Sequence, residues 1–340
     1  MIKPQVFAGL VAAAVASLAV AVPLHTFYDR WTLPKATGEL LVPDLASKFK
    51  DIQAVEIVHQ GKTLTLTRSG NIWGAKERSG YPVGIDRIAE LLKKVALAEL
   101  VEAKTKSKDR LAILELEDPA GPKANSKRVR IKSAKDEVLA DVVIGKSKLG
   151  AFGGAPGTYV RRINETQAWL ASGDPRPSAD LKDWVPTAFL EQDTSKIAKV
   201  SIEIKGEPPL KLERAATPGA KLTMVDAPAG KKMKEGQTID AIGAALASLD
   251  LEDVRAVNPG PIAPGTHIVR FEEKDGIAVT LHFRPEGDAH WVAVEATGTT
   301  DAAKKTAEAI MTRTRGWEYK LGKYKTDQIL KRRTDLFEGS

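Results

Sequence analysis

Residues 51–77 read "DIQAVEIVHQGKTLTLTRSGNIWGAKE", and residues 195–227 read "SKIAKVSIEIKGEPPLKLERAATPGAKLTMVDA". The second stretch is a diverged copy of the first. Ile52, Val55 and Ile57 match Ile197, Val200 and Ile202 at an offset of about 145, and Leu64, Leu66 and Arg68 match Leu210, Leu212 and Arg214 one residue further on. Alternating apolar positions in both copies predict strands with one buried face. The links "HQGK" and "KGEPP" are hairpin chemistry, with Gly61 and Gly206 available for positive φ.

The helices repeat as well. After Asp86 the apolar residues are Ile88, Leu91, Leu92 and Val95; after Asp240 they are Ile242, Ala245, Leu246 and Leu249. The offsets from the Asp are the same, they form a helical stripe, and each Asp stands where it caps or favours the positive end of its helix. Each copy then returns to strands. "RVRIKSA", "VLADVVIG", "GTYVRRI" and "QAWLA" follow in the first, and "HIVRFEEKDGIAVTLHFRPEGDAHWVAVE" supplies three strands in the second. The second copy alone inserts "DAAKKTAEAIMTRT", an amphipathic helix by its pattern, before "GWEYKLG". The expected fold is therefore α+β: two repeated units, each a largely antiparallel sheet with a packed helix. The boundary falls in the Pro- and Asp-rich stretch near Pro186, giving a first repeat over 49–185 and a second over 186–340.

The N-terminus bears on location. Val6 to Val22 is a run of about 17 uncharged residues, extended by Leu24 and followed by Phe27, Tyr28 and Trp31. That is near the lower limit for crossing a ~30 Å hydrocarbon core, with aromatics where an interfacial belt would lie. A cleaved export signal is the alternative, since Ala19-Val20-Ala21 has the form of a cleavage site. A buried core helix is a third reading. The expectation is a retained single transmembrane helix over 1–28 and a juxtamembrane linker over 29–48. A short span before one large polar body usually leaves the body outside. The chain is thus expected in a bacterial inner membrane, single-pass, with its bulk in the periplasm.

The 340 residues include no Cys, which excludes disulfides, thiolate metal sites, cysteine nucleophiles and lipoprotein anchoring. Net charge is +7, with about ten Lys and Arg against about three acids between Lys304 and Arg333. That region reads as a solvated surface, or as one attracted to anionic lipid or an acidic partner. Nucleic acid is disfavoured, because the basic residues are not interleaved with stacking aromatics.

No reaction centre is legible. His25, His59, His267, His282 and His290 are the histidines. His282 and His290 flank "FRPEGDA", so a hairpin could join them with Asp288 in a metal site; ordinary surface residues are the simpler reading. Glu272 and Glu273 are strand neighbours aimed at opposite faces. The Gly-rich "KLGAFGGAPGTYV" at Lys148 to Val160 lacks a following helix start and reads as a hairpin connection. Trp73, Trp169, Trp184, Trp291 and Trp317 read as packing residues, with a ligand or glycan platform as the alternative. No catalytic, cofactor-binding or metal residue is assigned, and no cofactor is expected.

In order along the chain, the N-terminal apolar run, "VEIVHQGKTLTLTRSGNIW" with Trp73, "YPVGIDRIAELLKKV", "LEDPAG" at Leu116 to Gly121, "LADVVIGK", "GTYVRR" with "QAWL", and "DWVPTAFL" resemble the DUF4340 domain proteins, a bacterial group. The "IGK" at Ile144 is not a phosphate loop, since it lacks the required spacing. The resemblance covers about residues 40 to 195 well and the second half more loosely. It implies membrane-anchored accessory proteins, often associated with ABC-transport systems of the kind linked to gliding motility, and it carries over no catalytic residues. The expected function is a non-enzymatic, membrane-anchored periplasmic scaffold. Its partner would be an ABC-type export or envelope complex, met through exposed strand edges or the basic C-terminal surface, with residues 6–24 holding the membrane. The alternative is a binding module holding a lipid or polysaccharide between the two repeats.

Overall fold

The computed structural model describes residues 37–217, 219–234, 239–257 and 267–338. The expected anchor over 1–28 lies outside the described residues. Among those described, no helix is long and apolar enough to cross a membrane.

The first copy supplies β1 (Ile52–His59), β2 (Lys62–Ser69), β3 (Ile72–Ala75), β4 (Tyr81–Val83), α1 (Ile85–Ala96), β5 (Leu100–Ala103), β6 (Lys127–Ser133), β7 (Val138–Phe152), β8 (Ala155–Arg162) and β9 (Trp169–Ser172). The second supplies β10 (Ala188–Leu190), β11 (Ile197–Ile204), β12 (Leu210–Arg214), β13 (Leu222–Met224), α2 (Asp240–Ala244), β14 (Leu249–Ala256), β15 (His267–Glu273), β16 (Ile277–Glu286), β17 (Ala289–Gly298), α3 (Asp301–Thr314), β18 (Trp317–Leu321), α4 (Lys323–Ile329) and α5 (Arg333–Leu336).

Two nine-stranded sheets result, ordered β4-β3-β2-β1-β6-β7-β8-β9-β5 and β10-β14-β18-β17-β16-β15-β11-β12-β13. Replacing each strand from β3 to β5 in the first order by its counterpart gives β13-β12-β11-β15-β16-β17-β18-β14, which is the second order read backwards up to its last strand, β10. The register repeats too. Val55 faces Ile131 and Ile57 faces Val129, as Val200 faces Phe271 and Ile202 faces Val269. Both copies shift register after Ile52 and after Ile197, and again after Leu100 and after Leu251. Shared irregularities of this kind place the same bends at the same points of both sheets.

The alternating residues form the cores. Val55, Ile57, Val129, Ile131, Val142 and Val160 are buried in the first sheet; Val200, Ile202, Val269, Phe271, Leu281, Phe283 and Val292 are buried in the second. Leu41, Val42 and Leu45, inside the stretch read as linker, are also buried. There the chain runs along β5, with the Leu41 N–H on the Ala98 carbonyl.

The helical stripes bury as expected in α1, through Ile88, Leu91, Leu92 and Val95. In the second copy α2 stops at Ala244, a 3-10 turn covers Ala245–Ala247, and Leu249 already belongs to β14. Its stripe is buried all the same. Asp240 does not cap its own helix; its carboxylate accepts the Leu222 N–H of β13 at 2.8 Å. The inserted helix α3 is N-capped by Thr300, whose Oγ1 accepts the Ala303 N–H, and lies on β16 and β17.

Among the described residues two compact units emerge: residues 37–65 with 86–179, and residues 66–85 with those described between 180 and 338. The segment Leu66–Ile85 is held within the second of these by four contacts. Tyr81 meets Trp317 edge-on at 4.9 Å between ring centroids and Tyr319 at 6.3 Å, while Arg78 reaches Asp253 with both Nε and Nη2. The Gly84 N–H bonds the Trp184 carbonyl at 2.9 Å.

Candidate interaction surface

The polar faces of the sheets carry charges that satisfy one another. In the first unit Asp141 of β7 accepts from Arg128 at 2.6 Å and from Arg130 at 2.9 Å, and Arg130 also faces Glu56 of β1. Burial by itself would raise the Asp141 carboxyl; the hydrogen bonds and charges of the two guanidinium groups outweigh it and hold the pKa below the usual carboxylate range. In the second unit Glu318, only 2% exposed, binds Arg255 at 2.8 Å and Arg284 at 2.7 Å. Arg255 also reaches Glu286 at 2.7 Å and lies over the Trp291 ring, 4.1 Å from its centroid.

The histidines do not assemble around Asp288. His282 faces Ala293 and His290 faces Pro285 in the β16–β17 register, which puts the two imidazoles on opposite faces of the sheet. His282 instead lies 3.3 Å from Glu295. The rings that meet are His267 and His290, with centroids 6.3 Å apart. Burial, then the nearby His267, lowers the His290 pKa. His59 contacts the Ser126 carbonyl at the end of β1, and His25 lies outside the described residues. Among the described residues no group of three or more His, Asp or Glu is placed to hold a metal ion.

Glu272 and Glu273 do part company. Glu272 bonds Arg270, whereas Glu273 is 7% exposed and its Oε1 has no partner. Burial first, and then Asp275, push the Glu273 pKa up to about 7. Trp73 and Trp184 are buried, Trp291 lies under Arg255 and Trp317 under Tyr81.

In the basic C-terminal region, Lys304 pairs with Asp301, Arg315 with Glu308, Lys320 with Glu252, Lys323 with Asp327, and Arg332 with Glu207. These five pairings answer part of its excess charge.

The Gly-rich stretch is the end of a hairpin arm. Phe152 faces Ala155 across Gly153 and Gly154, whose φ angles of +62° and +104° suit a two-residue turn whose twist matches the strands. The register shifts twice along β7, between Ile144 and Ser147 and again between Lys148 and Phe152. β7 therefore carries residues that β8 does not match, and at the second shift Leu149 is turned outward, 80% exposed. A Cβ on Gly157 would meet Phe152 Cε2 at 2.9 Å and Leu170 Cδ1 at 3.1 Å, so a glycine there leaves room for the Phe152 ring against the strand. Nothing in "KLGAFGGAPGTYV" alone marks the double shift.

The family described as "Domain of unknown function (DUF4340)" matches residues 73–265, more than half of the chain. The chain belongs to this DUF4340 family. The match begins at Trp73 in β3 and runs through the first copy into the second, so the DUF4340 region takes in the β7–β8 arm and the Arg128–Asp141–Arg130 network. No curated protein and no solved structure matches the chain.

Proposed function

We propose that this DUF4340 protein is a non-enzymatic, membrane-anchored accessory protein. Residues 6–24 hold the inner membrane, and the two-sheet body stands in the periplasm as a scaffold for an ABC-type export or envelope complex. The observation that carries this reading is the fate of the charged side chains. Glu56, Arg128, Arg130 and Asp141 on one sheet, and Arg255, Arg284, Glu286 and Glu318 on the other, bind each other across strands. Groups engaged in this way brace a surface, whereas a catalytic site needs groups convergent on a substrate.

The test uses the full chain with a C-terminal tag: cell fractionation, intact mass, and capture from a detergent extract. An uncut 36.7 kDa chain in the membrane fraction that brings transporter subunits with it upholds the proposal. A soluble product beginning near Val22 overturns it.

A further inference from the structure

The β7–β8 arm differs from the ion-paired faces. From Val142 to Asn164 the sequence holds no Asp or Glu but has Lys146, Lys148, Arg161 and Arg162. The two arginines are engaged at the root of the arm, Arg161 with the Ile163 carbonyl and Arg162 with the Leu41 carbonyl and with Glu39 and Glu165. Lys146 and Lys148 are exposed, make no ion pair with any described residue, and bracket the sequence just before the outward Leu149.

We propose that the tip of this arm seats on an anionic lipid headgroup layer. Lys146 and Lys148 would meet lipid phosphates while Leu149 enters the acyl boundary. The occupant follows from charge and size. The tip is purely basic, and its handful of residues falls far short of the roughly 800 Å² per partner of a stable protein interface.

Position agrees, and this step rests on the anchored reading above. The Thr37 N–H bonds the Leu100 carbonyl; Leu100 faces Ala171, Ala171 faces Thr158, and Thr158 faces Ser147. The chain therefore enters the sheet in the same cross-strand row from which the arm springs. Four strand spacings separate the two points, about 19 Å. Residues 25–36, between Leu24 and Thr37, reach at most about 43 Å when extended. A chain inserted through residues 6–24 thus keeps the tip within range of the same bilayer surface.

The absence of cysteine makes the test direct, because Leu149→Cys accepts a single environment-sensitive fluorophore and Ile113→Cys, 64% exposed in the native chain, serves as the reference. The full chain is placed in vesicles of phosphatidylethanolamine with phosphatidylglycerol, or of phosphatidylcholine alone, and flotation is read beside emission. The expected result is a blue shift at position 149, quenched by lipid-borne nitroxide, in the anionic vesicles only, with position 113 unchanged. Neutralising both lysines in Lys146→Gln/Lys148→Gln lowers tip partitioning about 30-fold, at about fivefold per lysine, and returns the emission to its aqueous position. A chain that floats with both vesicle types while position 149 stays aqueous overturns the tip proposal and leaves the anchor standing. A chain that floats only with anionic vesicles and shows the shift upholds the tip and removes the anchor.

Discussion

Replacing Glu273 by Gln should make the protein more stable at neutral pH and abolish one component of its pH dependence. Glu273 is 7% exposed, its Oε1 lacks a partner, and its pKa is pushed up to about 7 by burial and by Asp275, from an ordinary 4.5. Between those two values the folded state holds a proton that the unfolded state has released. The stability contributed is therefore fully present below about pH 4.5 and is lost as pH rises through about 7. At ~1.4 kcal/mol per pKa unit, the loss between pH 5 and pH 8 comes to about 2.5 kcal/mol. Lys196, which lies 3.1 Å from Asp275 and opposes the shift, makes this an upper value. Glutamine keeps the shape and the donor of the protonated acid without its titration. Urea unfolding of wild type and Glu273→Gln at pH 5 and pH 8, followed by tryptophan fluorescence, isolates the effect as a difference of differences. The variant should gain on the wild type by about 2 kcal/mol as pH rises. A difference that stays constant within about 0.5 kcal/mol would refute the assignment of a raised pKa to this carboxyl.

Three further outcomes follow from the packing. Gly298→Ala sets a Cβ 2.3 Å from the Ala303 carbonyl carbon and the Lys304 nitrogen at the start of α3, and should cost about 2–3 kcal/mol in chemical denaturation. Tyr81→Ala removes the edge-on partner of Trp317 and should cost about 2 kcal/mol, with a red shift in tryptophan emission as that ring meets water. Asp141→Asn leaves Arg128 and Arg130 without their shared carboxylate and should cost about 2 kcal/mol at pH 7. Because the Asp141 pKa is depressed, its contribution is present above the ordinary carboxylate range and lost as pH falls through the lowered value. The variant and wild type should therefore converge in acid, as thermal melts across pH would report.

The repeat, most of the strands and the inserted helix are legible in residue order alone. Alternating Val55 and Ile57 against Val200 and Ile202 fixes which face of each strand is apolar, and "DAAKKTAEAIMTRT" coincides with α3 from end to end. These are local properties, written in side-chain period. Which residues meet is set by contacts between parts of the chain far apart in sequence. Tertiary pairing ended α2 at Ala244, because Leu249 was needed in β14, and turned Asp240 from helix cap to strand cap. It placed His282 and His290 on opposite faces, although one turn separates their strands. Grouping Leu66–Ile85 with the C-terminal unit depends on Tyr81 finding Trp317 and Arg78 finding Asp253, partners more than 170 residues away. The outward turn of Leu149 arises from a register shift against β8, which no property of β7 alone dictates. Periodicity says which side of an element is buried; register and long-range contact choose its neighbours, and the charge pairs and the exposed tip follow from that choice.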